Sequence, residues 1–170
     1  MGAKTGAKTN WLKTIRKDVE KRPPSMVVVG PAGVGKSSLA GNIPNSVVMP
    51  FGQEDTWGLL KTSGAVPADL PVLQPARTYS DMMGMCEELA TEDHGYKFLV
   101  IDTISCAERL THEGVCNREF AGDWSERGFL GFNRGFEVSL SDWRDFINAL
   151  DRLRDEKGMG VVLLGHTKIA

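Results

Sequence analysis

Residues 30–38 read GPAGVGKSS, and they follow the apolar run MVVV at 26–29. Such a run predicts a short strand of the kind parallel sheets bury on both faces. Glycines at 30, 33 and 35 allow backbone torsions and close approaches that side chains would block. The spacing is G-x-x-x-x-G-K-[ST], with a strand expected before it and a helix after it. A loop of this kind turns its N–H groups inward, and the helix start adds partial positive charge, so the pair suits a polyphosphate. Gly30, Pro31, Ala32, Gly33, Val34, Gly35, Lys36, Ser37 and Ser38 are therefore the expected nucleotide-binding loop. Lys36 is placed to reach the β and γ phosphates, Ser37 to ligate Mg²⁺ and Ser38 to meet the α phosphate. A glycine-rich turn with no ligand is the plain alternative.

Outward from this loop the pattern alternates. SVVMPFG (46–52), KFLVID (97–102) and GVVLLGH (160–166) read as further strands, with one short strand expected near Val72. Helices are expected over KSSLAGNI (36–43), from a Ser80 cap to about Ala90, and from Thr103 to about Phe120. A long helix is expected from a Ser139/Asp142 capping box to Gly158. Asn10 is read as the cap of a short helix with Trp11, Ile15 and Val19 on one stripe, behind a disordered basic tail at 1–9. Apolar strands alternating with helices predict an α/β domain, a mostly parallel sheet flanked by helices in three layers, over 10–170.

The 170 residues suit one domain, and a net charge of −2 gives no global attraction to nucleic acid or anionic membrane. No apolar run is long enough to span a bilayer, so no membrane partner is expected. Three cysteines, at 86, 106 and 116, with no secretory signal predict reduced thiols and a cytoplasmic setting. Cys106, His112 and Cys116 lack a fourth metal ligand, and only the last two share a helical face.

Asp102 ends the strand KFLVID, where parallel sheets place their ligands. It can hold Mg²⁺ or cap the helix that follows, and both roles can coexist. Thr103 follows it where many ATPases of this class carry a glutamate, so the base must come from elsewhere. Glu54, in GQEDTWG just past another strand end, is the candidate to activate water; the alternative is a solvated loop acid. His166 ends the last strand and is the candidate γ-phosphate sensor. Trp57 reads as packing rather than a base platform.

Together these residues resemble the RecA-like branch of P-loop ATPases. The chain is more closely similar to phage-encoded ATP-binding proteins of that type, some of which work with single-strand-annealing proteins in recombination. The resemblance rests on residues 27–45, 52–60, 76–116 and 143–168, in order. It implies an ATP-binding Mg²⁺-dependent ATPase serving DNA recombination or replication, in the host cytoplasm, with single-stranded DNA or an annealing protein as partner and a homo-oligomer as one state. Glu54 carries over from the family pattern; a following glycine does not, since QEDT stands where TEDG is usual. The resemblance also puts the last strand between the MVVV strand and the Asp102 strand. Further family strands beyond residue 170 would then be missing, which leaves MVVV as a sheet edge.

The segment DWSERGFLGFNRGF (123–136) combines Arg127 and Arg134 with three phenylalanines. Three readings stand: a core-closing loop, a contact for single-stranded DNA, and an arginine acting in trans on a neighbour's nucleotide. Two other functions also stand beside the ATPase, a nucleotide-gated binding module with little hydrolysis and a small-molecule P-loop kinase.

Overall fold

The computed structural model describes residues 21–52 and 56–167. The expected 1–9 tail and all but the last residue of the helix expected behind Asn10, over 11–21, lie outside the described residues; Lys21 and Arg22 are not helical. Four strands form one sheet: β1 (Ser25–Gly30), β2 (Ser46–Pro50), β3 (Phe98–Asp102) and β4 (Gly160–His166). All pairings are parallel, in the order β1-β4-β3-β2. The last strand does separate the MVVV strand from the Asp102 strand.

Side-chain alternation builds three layers. Val47, Met49, Leu99, Ile101, Val161 and Leu163 face one way, into a core closed by α3 (Tyr79–Thr91), α4 (Ile104–Glu119) and α5 (Arg134–Glu156). Val48, Val100, Val162 and Leu164 face the other way, toward α1 (Lys36–Gly41) and α2 (Thr56–Thr62). Val72 joins the sheet only by an isolated bridge to Val48.

Among the described residues β1 pairs with β4 alone, and Val27 and Val29 are each 61% exposed. The strand is therefore an edge, as the resemblance implies, and not the doubly buried strand that its composition suggests. Its apolar residues match a central strand; the pairing partner on the outer side is what the described residues lack.

Three helix boundaries differ from expectation. α3 starts two residues earlier than a Ser80 cap would allow, because Thr78 and Asp81 form a reciprocal capping box. α2 lacks a strong apolar stripe and was not expected. α5 begins at Arg134, not at Ser139. Ser139 is buried in mid-helix, its hydroxyl donating to the Gly135 carbonyl, and Asp142 pairs with Arg118 instead of capping. The chain enters α5 through left-handed Phe132 (φ 50°) and Asn133 (φ 59°), a turn that sequence pattern does not announce.

The turn is held by an aromatic cluster. Phe129 is fully buried, with ring centroids of Trp124, Phe136 and Phe120 at 4.6, 5.0 and 5.6 Å. His112 also packs on it and on Phe136, which accounts for that residue without a metal. Gly135 admits the Phe129 ring: a Cβ there would lie 2.3 Å from Phe129 Cγ. Gly84, within α3, has nothing within 4 Å of such an atom. Gly135→Ala is expected to destabilise the domain by about 1–3 kcal/mol through overpacking. Gly84→Ala is expected to stabilise it by about 0.5–1 kcal/mol through the helix preference for alanine. Urea unfolding of both variants checks this; equal effects would contradict the packing described.

Candidate functional site

The glycine loop connects β1 to α1 at the C-terminal edge of the sheet. Gly33 (φ 80°) and Gly35 (φ 89°) take left-handed backbone, and Gly35 is the N-cap of α1. The first helical bond runs from Leu39 N to the Gly35 carbonyl (2.8 Å), which leaves the N–H groups of residues 36–38 without an intrahelical acceptor.

Lys36 is only 8% exposed. Its Nζ donates to the carbonyls of Gly30 (2.9 Å) and Pro31 (2.8 Å) and lies 3.3 Å from His166 Nδ1. That last contact is a hydrogen bond when Nδ1 carries no proton, which makes Nε2 the protonated nitrogen. With His166 in that tautomer, three neutral acceptors match the three donors of the ammonium. An anionic phosphate oxygen makes a charge-assisted bond about twice as strong, so a polyphosphate can draw the amine from this cage.

The register explains how His166 arrives there. Gly30 stands opposite His166, and Asp102 stands opposite Leu164 on one side and Pro50 on the other. Asp102 Oδ2 accepts from Ser37 Oγ at 3.0 Å, across the end of β4. Asp102 does not cap α4; Thr103 holds the N-cap position, and its hydroxyl donates to Cys106 Sγ. Burial raises the Asp102 carboxyl above its usual range, and the Ser37 hydroxyl and the Lys36 charge pull it back only in part.

These groups line one cavity of about 680 Å³, with Gly33, Lys36, Ser37, Phe51, Trp57, Asp102 and His166 in its wall. Lys36, Ser37, Asp102 and His166, identified from sequence, therefore converge. Glu54 lies outside the described residues, although Phe51, Gly52 and Thr56 on either side of that segment line the cavity. Arg134 stacks over the Phe120 ring at 5.0 Å, and Arg127 is exposed on the aromatic turn. Neither lines the cavity. Cys106 does, and sequence reading missed it; its place one turn into the helix after Asp102 is the available signal.

The family model for the AAA domain matches residues 22–170. The chain belongs to the AAA domain family. This is a nucleotide-binding, P-loop ATPase-like domain, and the cavity is where its loop, strand ends and carboxylate meet. No curated protein matches the chain. Among the described residues no helix is long and apolar enough to cross a membrane, and no cluster of three His, Cys, Asp or Glu could hold a metal.

The donor set suits Mg²⁺: a serine hydroxyl and a part-buried carboxylate in contact, both hard oxygen donors. Ser37 and Asp102 would hold the ion, which when bound neutralises phosphate charge.

Two outcomes follow from burial. A carboxyl with a raised folded pKa binds its proton more tightly folded than unfolded, so its charge costs stability once the pH exceeds that value. Asp102→Asn keeps an acceptor and removes the charge. It is expected to raise the thermal midpoint of the metal-free protein while abolishing the Mg²⁺ dependence of nucleotide binding; a lowered midpoint would contradict the assignment. Among the thiols, Cys86 and Cys116 are buried, and burial pushes Cys86 up to about 12. Cys106 is partly exposed within the cavity. Alkylation of the native chain, read by peptide mass spectrometry, is expected at Cys106 first and slowed by ATP. Labelling at an unchanged rate with saturating ATP would contradict nucleotide occupancy of this cavity.

Proposed function

We propose that this domain is an ATP hydrolase whose turnover serves single-stranded DNA transactions of the recombination type, as in the RecA-like phage proteins that the sequence resembles. The observation that carries the ATPase reading is the convergence of Lys36, Ser37, Asp102 and His166 on one cavity at the strand ends. Phosphoryl transfer needs positioning and charge stabilisation more than covalent chemistry. Lys36 leaves its neutral acceptors for the β and γ phosphates. The loop N–H groups of residues 36–38 hold the polyphosphate in line. His166, beside Lys36, reads the γ-phosphate. Glu54 accepts the proton of the attacking water, and the γ-phosphate departs from ADP.

The DNA reading finds support in the aromatic turn. Phe132 is fully exposed there, on a backbone fixed by the buried Phe129. An exposed ring on a rigid base suits stacking on an unpaired base. Residues 118–137 carry three arginines and four acids, so contact here would depend on stacking more than on phosphate neutralisation and show a shallow salt dependence.

The test is steady-state phosphate release with Mg²⁺, with and without single-stranded DNA, for the native chain, Glu54→Gln and Phe132→Ala. The expected result is turnover stimulated by DNA in the native chain. Glu54→Gln should lose roughly 10²–10⁴-fold in rate, as removal of a general base does, with ATP binding retained. Phe132→Ala should keep the basal rate and lose the stimulation. ATP binding with no turnover under any condition would favour a nucleotide-gated module; phosphate transfer to a small-molecule acceptor would favour a kinase.

A further inference from the structure

In the β1–β4 register Val27 stands opposite Leu163 and Val29 opposite Gly165. A Cβ added at Gly165 would lie 3.1 Å from Val29 Cγ1 and 3.7 Å from Ile104 Cγ2. Both valines therefore turn to the side of the sheet that α3, α4 and α5 close over the other strands. Among the described residues both stay exposed. An apolar face on an edge strand is an aggregation liability unless something covers it. The chain reaches β1 from that same side. Arg154 donates to the Pro23 carbonyl at 3.0 and 3.1 Å, and Arg22 pairs with Asp155. Both partners belong to the C-terminal end of α5, so the segment 21–24 is held against that helix end. Residues 11–20, just before it, lie outside the described residues. At helical spacing their sequence puts Trp11, Leu12, Ile15 and Val19 on one stripe about 100° wide, with Lys13, Lys17 and Glu20 opposite.

We propose that residues 11–20 form an amphipathic helix that folds back on β1 of the same chain and buries Val27 and Val29 under Ile15 and Val19. The lengths agree: ten helical residues measure about 15 Å, and the six residues of β1 about 20 Å. Pro23 and Pro24 stop a helix from running on into the strand, so the chain turns at 21–24 and the helix lies antiparallel to β1. Trp11 then sits toward the glycine-loop end. The short connection decides which occupant the face takes. A segment tethered by four residues is present at a local concentration that a free second copy does not match. The helix covers the face of β1 and leaves its hydrogen-bonding edge as it is.

The test is crosslinking in the full chain carrying Cys106→Ser, since Cys86 and Cys116 are buried. Ile15→Cys with Val27→Cys is treated with a short bismaleimide, beside Lys17→Cys with Val27→Cys from the polar face. The expected result is a link within one chain, read as a joined peptide by mass spectrometry, that forms severalfold faster for the Ile15 pair. Equal rates for the two pairs, or no link in either, would overturn the proposal. A link between chains that grows with protein concentration would overturn it too, and would make a second copy the occupant. Should the variants fail to fold, hydroxyl-radical footprinting of the native chain decides. Trp11 is expected to oxidise severalfold more slowly than the exposed Trp124, at every protein concentration. Trp11 oxidised as fast as Trp124, or protected only in concentrated samples, overturns the proposal.

Discussion

Everything at this site depends on the register of one parallel sheet. Four strands point the same way, so their C-terminal ends open on one edge, and β4 lies between β1 and β3. With Gly30 opposite His166 and Asp102 opposite Leu164, the glycine loop, the histidine and the carboxylate arrive together. The Ser37–Asp102 hydrogen bond then spans the end of β4 and ties α1 to β3. A one-residue slip would turn each strand's core set to the opposite face, so the two cores that stabilise the sheet also fix the site.

The site brings together a buried ammonium and a part-buried carboxylate, each satisfied in a different way. The Lys36 ammonium is satisfied in number but only by neutral acceptors. The Asp102 carboxylate accepts from Ser37 and is otherwise poorly solvated, which raises its pKa. A phosphate chain answers the first and a divalent cation answers the second. Stability lost to burying these groups is thereby available as differential affinity for the loaded state.

Strands were legible because their apolar residues are dense and bounded, and the 3.6-residue pattern of α3 and α4 gave those helices within two or three residues. The loop and Asp102 were legible because spacing and strand-end position carry their own physical meaning. The start of α5 was not: Phe132 and Asn133 adopt left-handed backbone under the control of a buried aromatic cluster, a tertiary effect that overrides a plausible Ser139 cap. Trp57 was half legible. Its burial follows from residue type, while its place in the cavity wall depends on the packing of α2 against α1. Val27 and Val29 read as interior residues and stand at an edge, since a strand's composition reports the environment it suits, not its position in a sheet of these four strands.

The central claim is that Lys36 is caged by neutral acceptors until a polyphosphate takes it. Isothermal titration of ATP into the native chain and Lys36→Ala, both with Mg²⁺, tests it most directly. The account predicts one site per chain in the native protein and a loss of roughly tenfold or more in the variant, the equivalent of about 1.4 kcal/mol or greater for a lost charge-assisted contact. ATP binding of equal affinity in the two chains would show that the cavity at the strand ends is not where the nucleotide sits.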